Sequence, residues 1–428
     1  MRQNRARSVG TGTVVGHDID TLHRVYALHL AANGMSADDV TTLPAVLQTI
    51  ARAHLRTAMH RPRGESVVGT STSGSDGGTY FDVITDEMPF VVESLLAGFA
   101  RTGAHVRHVV HPVVTVHRSE SGVLVEVLAP GEARPGTSTE LWIRVEIDPI
   151  PVDEAQEIVA ELRSVLRDVR DVAIDQDDLV EVARSVAAEL VDTRPSEMDE
   201  MDEMDEMDEM DVLDAARLIE WLVDGRFTLL GHRLYDRGDE HRAGSGLGVL
   251  RREEVARRLF DGVGPARSED GDILVLTRAG TPSRVYRPVP PSVLAVRITD
   301  RTGRVVREHR FLGALTRAAL HEDVLAIPRI GSRVRASVHR AGVHLESYTG
   351  QRMLEVIAEY PREELFWAGE DLLHDLAAGV PALTQPRRMR LFVAREPFRR
   401  FFSCLVYLPR DRYSTRARRA MELSLIHI

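Results

Sequence analysis

The 428-residue sequence contains no lysine; all 54 of its basic residues are arginine. GC-rich coding bias accounts for such a choice, but its chemical consequence holds whatever the origin. Reactions that need a lysine, as a Schiff base or as an amine of depressed pKa, have no residue to use within these 428 positions. Cysteine is nearly absent as well. The one thiol, Cys404, excludes an internal disulfide, which points to a cytoplasmic setting. It lies in the apolar run "FFSCLVYL", where packing is expected rather than nucleophilic chemistry. No stretch approaches the roughly 18 consecutive apolar residues of a membrane span. The basic start "MRQNRARSVGTGTVVGHD" lacks the apolar core of a signal peptide. Also missing are H-E-x-x-H, G-x-S-x-G and any phosphate loop ending in lysine.

Negative charge is present but confined. The period-three repeat "EMDEMDEMDEMDEMD", Glu197 to Asp211, holds ten acids and accounts for nearly all of the net charge of −11. On a helix, steps of three residues drift around the axis, so the methionines form no stable apolar stripe. A solvated linker or helix extension is expected. Elsewhere arginine is interleaved with acids. It is neither clustered nor alternated with aromatics, so nucleic acid is not an expected partner.

Periodicity divides the rest. Residues 1–18 carry no pattern and are expected to be disordered. Residues 19–78 hold two amphipathic helices, broken at "NGMSADD", and then the flexible connector "GTSTSGSDGG". Residues 79–195 alternate as β-α-β-β(-β)-α with trailing helices. This predicts an α+β fold, one antiparallel sheet with two helices on one face. Within it, "HVRHVVHPVVTVHR" is expected to be a single strand with an edge-type Pro112. Residues 196–211 form the acidic linker and 212–385 a mixed α/β region. The latter includes the strands "ILVLTR", "SVLAVRIT" and "RVVREHRFL", the last two joined by a hairpin turn. Residues 386–422 begin another β-rich unit, and residues 391–428 are expected to be the least well packed. Residues 423–428, "LSLIHI", are read as a non-native tail, because they resemble the translation of a sequencing-library adapter.

Three segments invite chemistry. His105, His108, His111 and His117 share one stretch. Six residues of strand span about 20 Å, however, whereas the ligands of one zinc lie within about 4 Å of each other. Ordinary strand histidines are expected, and no metal. "GSGLGV", Gly244 to Val249, has glycines at the wrong spacing for a dinucleotide fingerprint, which requires G-x-G-x-x-G between a strand and a helix. "VITDEMPFVVESL" places a strand end against a helix N-terminus, with Pro89 in the first turn. The free N–H groups and helix dipole there favour anions. Thr85, Asp86, Glu87, Met88 and Pro89 are the candidate effector site, with Asp86 as helix N-cap the simpler alternative. No catalytic or cofactor-binding residue is identified.

Several segments together carry a family resemblance. They are "YFDVITDEMPFVVESL", "VVHPVVTVHR", "ELWIRVEID", "LIEWLVDGRFTLLGHRLYD", "RFLGALTRAAL", "LEVIAEYPREELF" and "RRMRLFVAREPFRRFFSCLVYLPRDRYST". From about Asp18 to Met421 the chain resembles the N-terminal part of the large bacterial NAD-specific glutamate dehydrogenases. The resemblance implies ACT-like domains ahead of a catalytic domain, the first at 79–170 and a second opening at "RMRLFVAREPF". It implies homo-oligomer assembly through these domains and an amino-acid effector at the first strand–helix junction. It also implies that the full-length enzyme uses NAD to oxidise L-glutamate to 2-oxoglutarate and ammonia. On this reading the chain is a truncated regulatory part, inactive alone and binding no NAD itself. The alternative is a stand-alone, non-catalytic ACT-like sensor or oligomerisation protein. Two features depart from the family pattern. Phe90 follows Pro89 where ACT ligand sites usually carry a glycine, and the acidic repeat looks like an insertion.

Overall fold

Alternation of β-branched and polar residues builds the first sheet. In the computed structural model it contains β1 (Val67–Thr72), β2 (Thr79–Asp86), β3 (Val106–Val110), β4 (Val113–Arg118), β5 (Leu124–Val127) and β6 (Thr137–Ile147). The structure describes residues 11–36, 44–72, 77–192, 203–236, 240–241, 245–261, 263, 273–300, 304–379 and 389–426. These fall into two units. The first comprises residues up to Ala173 together with Arg284–Pro288, and the second comprises Ile174–Ser283 and the residues from Val289 onward.

In the first unit the strand order is β1-β2-β6-β4-β5, with β3 also on β6, and every pairing is antiparallel. The expected β-α-β-β-α succession is present as β2, α3 (Val91–Arg101), β3 to β6, and α4 (Val152–Ile174). Helices α3 and α4 pack on each other, with Gly98 against Leu162 and Val165. They share one face of the sheet, where Phe81 meets Phe99 edge-on. The opposite face is covered by α1 (Thr11–Ala32) and α2 (Pro44–Ala58). Leu22, Tyr26, Leu47, Ile50 and Leu55 of these helices close over Ile84, Val114, Val116 and Trp142. The edge beside β2 is held by β1, which precedes it in the chain.

Four sequence expectations change here. Helix α1 begins at Thr11, inside the stretch 1–18 expected to be disordered; residues 1–10 lie outside the described residues. The connector at 69–78 is partly strand: Gly69 to Thr72 belong to β1, where Val67, Val68, Thr70 and Thr72 supply β-propensity that outweighs the glycine and serines. The strand expected over His105–Arg118 is broken at His111–Pro112. A proline cannot donate to a ladder, and here its carbonyl accepts from the Trp142 N–H instead. Cys404 is exposed rather than packed. It lies on the outward side of a two-stranded hairpin, opposite exposed Val393.

In the second unit, α5 (Gln176–Asp192) and α6 (Glu203–Trp221) precede β7 (Phe227–Asp236). The described part of the acidic repeat, from Glu203, is the first half of α6. The helix ends in a wider turn, Leu222–Arg226, where Gly225 takes φ 77°. Strands β10 (Leu274–Arg278), β11 (Ser292–Thr299) and β12 (Val305–Leu315) join β7. β11 and β12 pair antiparallel as expected of a hairpin. Two short strands, β8 (Glu240–His241) and β9 (Leu247–Gly248), also pair with β7, and α7 (Glu253–Leu259) follows them. Phe311, Leu294 and Val296 of this sheet share a core with α5, α6 and the helices α8 (Arg317–His321), α9 (Ile330–Arg340), α10 (Tyr348–Ala358), α11 (Arg362–Leu365) and α12 (Glu370–Gly379). The chain continues as β13 (Arg390–Arg395), β14 (Phe402–Tyr407) and α13 (Thr415–Ile426). Met389, Leu391, Phe402, Tyr413 and Leu423 remain exposed there.

Candidate effector site

On β2, Asp82, Ile84 and Asp86 point to the same face as Glu140, Trp142 and Arg144 across the ladder on β6. That face lies beneath α1 and α2, so Asp82, Glu140 and Arg144 are buried in an apolar layer, while Asp86 at the end of β2 is half-buried. Each is paired there, as a buried charge must be. Arg144 grips Asp82 with two hydrogen bonds of 2.8 and 2.9 Å. His54 Nε2 lies 3.2 Å from the same carboxylate, and its Nδ1 meets the Tyr26 hydroxyl.

The second cluster surrounds Glu140, which has no exposed surface. Arg61 and Arg118 donate to Glu140 Oε1 at 2.7 and 2.6 Å. Arg118 and the Trp142 indole N–H donate to Oε2, both at 2.9 Å. Arg61 also reaches Asp86 at 2.8 Å, and Arg170 of α4 reaches the other Asp86 oxygen at 2.6 Å. Thr85 is buried and bonded to Ser66 at 2.7 Å.

The junction therefore differs from its sequence-based picture. Asp86 is not the helix N-cap, because Arg61 and Arg170 hold both of its oxygens. The cap position falls on Phe90, at φ 67° with no side-chain bond to the helix, and Pro89 lies before α3 rather than in its first turn. Glu87 and Pro89 are exposed and Met88 is half-buried. Of the five candidate residues, Thr85 and Asp86 meet a polar cluster; Glu87, Met88 and Pro89 form the loop beside it. Sequence reasoning missed Arg61, Arg118, Glu140 and Arg170. The available signal was the alternation in "ELWIRVEID", which puts Glu140 and Arg144 on the same face as Trp142.

Electrostatics favour ionised carboxylates throughout. Burial works against the charge on Asp82, Asp86 and Glu140. His54 and Arg144 outweigh it at Asp82, Arg170 and Arg61 at Asp86, and Arg118 and Arg61 at Glu140. All three groups lie below the ordinary carboxyl range. A depressed folded-state pKa contributes stability that is complete above the unfolded value, near pH 4, and is lost as pH falls through the folded value. The urea midpoint of the first unit is expected to be flat from pH 8 to 6 and to drop steeply below about pH 4. A midpoint unchanged between pH 6 and 3 would contradict this linkage.

Comparison with known proteins yields three family matches. Residues 28–162 match the glutamate dehydrogenase ACT1 domain, 327–385 its helical motif 1, and 390–427 its ACT2 domain. The NAD-specific glutamate dehydrogenase of Mycobacterium tuberculosis is 32% identical over 92% of this chain. That of Halomonas elongata is 31% identical over 79%. The chain belongs to the NAD-specific glutamate dehydrogenase family. It spans 24% of the length of the first of these relatives and 21% of the second. The Pseudomonas aeruginosa enzyme, 29% identical, is covered to 21% of its length.

NAD, named in these relatives, does not fit the glycine-bearing segment of this chain. The Gly248 N–H already donates to the buried carboxylate of Asp175 at 2.7 Å, and Arg251 pairs with the same group. Burial opposes ionisation of Asp175, but Arg251 and the Gly248 N–H keep its carboxyl below the ordinary range. A pyrophosphate would meet that negative charge. The glycines instead permit close backbone approach: a Cβ on Gly248 would lie 2.2 Å from the Leu230 carbonyl oxygen, and one on Gly246 2.4 Å from that of Leu250. Gly244 lies outside the described residues.

Of the four histidines of the 105–117 stretch, His105, His108 and His117 are exposed and His111 is half-buried. His111 donates its backbone N–H to His29 Nε2 at 3.3 Å, and His105 sits 3.5 Å from Asp148. Among the described residues, no group of three or more histidine, cysteine or acidic side chains is placed to hold a metal. In the second unit, His232 Nε2 meets His309 Nδ1 at 3.1 Å. Burial, then His309, pushes His232 down to about 3, so it stays neutral. No helix among the described residues is long and apolar enough to cross a membrane.

Proposed function

We propose that this chain is the regulatory and assembly region of an NAD-dependent glutamate dehydrogenase. Oxidation of L-glutamate to 2-oxoglutarate and ammonia, with reduction of NAD⁺, is assigned to sequence outside these 428 residues. The observation that carries this reading is the nature of the matches. Two ACT domains and a helical motif belong to glutamate dehydrogenases, while the chain contains no lysine and its glycine segment is closed by Asp175. The purified chain, given L-glutamate and NAD⁺, is expected to produce no NADH absorbance above a glutamate-free blank. Glutamate-dependent NADH formation would refute the reading.

The regulatory ligand we assign to the Thr85–Pro89 junction is an α-amino acid. Its ammonium and carboxylate need an anion and a cation side by side, and Asp86 with Arg170 supplies that pair at the end of β2. Homo-oligomer assembly is part of the same proposal, and sedimentation of the purified chain measures it directly.

A further inference from the structure

The first unit includes one short segment far from the rest in sequence, Arg284–Pro288. It lies along α3. The Tyr286 backbone N–H donates to the buried Ser94 Oγ at 2.9 Å. The Tyr286 ring packs on Phe90 with centroids 5.1 Å apart. Val285 is buried. Arg284 lies 3.3 Å from Glu161, which also takes Arg101 at 2.9 Å. Arg287 stacks over the Tyr286 ring at 4.8 Å.

Phe90 and Tyr286 are also both left-handed, at φ 67° and 73°. Bulky side chains avoid that region, and it persists only where surroundings enforce it. A glycine at position 90 would adopt it freely. Here a phenylalanine adopts it, and the residue packed on that phenylalanine is equally strained. Phe90 ends the loop Glu87–Phe90 that joins β2 to α3, so whatever pins Phe90 pins the loop beside Asp86 and Arg170.

We propose that Arg284–Pro288 is a strap that clamps Phe90 and holds the Thr85–Pro89 junction in its closed form. An α-amino acid engages Asp86 and Arg170 once the strap leaves α3. This rests on the effector reading given above and adds the element that controls it. A junction closed about nine-tenths of the time weakens apparent affinity about tenfold, and loss of the strap restores it.

Two variants of the full chain test the strap. Tyr286→Gly with Arg284→Ser removes the ring and the Glu161 pair. Ser94→Ala removes only the hydrogen-bond acceptor and keeps the test informative should the double variant fold poorly. Hydrogen–deuterium exchange follows residues 284–288 and 87–94, and calorimetry follows binding of a panel of L-amino acids. The expected result is faster exchange in both segments, together with about tenfold tighter binding of the responding amino acid in the double variant. Ser94→Ala is expected to shift both readouts the same way, by less. Equal affinity in wild type and variants, despite faster exchange, overturns the strap and leaves the effector reading intact. Fast exchange of 284–288 already in the wild type also overturns the strap. Binding of no amino acid to any of the proteins overturns the effector reading, and the gate falls with it.

Discussion

Replacing Glu140 by glutamine is expected to destabilise the first unit by about 3–5 kcal/mol, the range found when one partner of a buried ion pair is removed. The size follows from what remains. Arg61 and Arg118 both donate to Glu140, and both side chains are almost wholly buried. Glutamine keeps the volume and offers one carbonyl oxygen, but it brings an N–H₂ group toward guanidinium groups that are themselves donors only. Arg61 retains Asp86 and Arg118 retains the Ala58 and Gly122 carbonyls, so neither cation is abandoned altogether. Those carbonyls carry no charge to offset the guanidinium. The measurement is urea unfolding followed by tryptophan fluorescence, since Trp142 donates to the same carboxylate. The midpoint should fall with little change in slope. A loss below about 1 kcal/mol, the scale of an exposed pair, would mean that the cluster is hydrated.

The second large effect is expected at Glu396, in the motif "VAREPFRR". Its carboxylate is buried and accepts from the Arg400 side chain at 2.8 Å and the Arg400 backbone N–H at 3.1 Å; it also meets the Thr277 hydroxyl. Arg400 in turn bonds Thr277 at 2.9 Å. This network ties the turn between β13 and β14 to β10. Leu391, Val393 and Phe402 face outward, so apolar packing reinforces it from one side only, through Phe392, Leu405 and Tyr407. Glu396→Ala is expected to lower the local stability of the hairpin by about 3 kcal/mol, at the lower end of the buried-pair range because Arg400 is partly exposed. The loss should be regional. Amide exchange across residues 390–407 is expected to accelerate by about a hundredfold, while β11 and β12 keep their protection. Equal acceleration in β11 and β12 would show instead that the network supports the whole second unit.

Much of the fold was legible because its periods are strong. β2, α3, β6 and α4 each carry an unbroken pattern of one kind, and "SVLAVRIT" with "RVVREHRFL" declares a hairpin. The misreadings share one cause, competition between a local signal and a neighbour in space. Glycine and serine in "GTSTS" suggested a loop, but the open edge of β2 takes that segment as a strand. Pro112 suggested an edge position within one strand, whereas it divides two. Asp86 ahead of a helix suggested a cap, yet two arginines distant in sequence claim its carboxylate. Cys404 in an apolar run suggested a packed thiol, and the hairpin turns it outward.

The sequence by itself determined which chemistries the chain lacks, where its helices and strands run, and the family it resembles. Those properties depend on residue identity and on patterns of two to four positions. Tertiary structure alone decided which charges are buried and who neutralises them. Glu140 and Asp82 look like ordinary surface acids until strand pairing sets them beneath a helical layer, where desolvation makes a cation obligatory. The same holds at position 90. Its departure from glycine is visible in the sequence, but the strained backbone and the distant tyrosine that holds it exist only once the chain has folded.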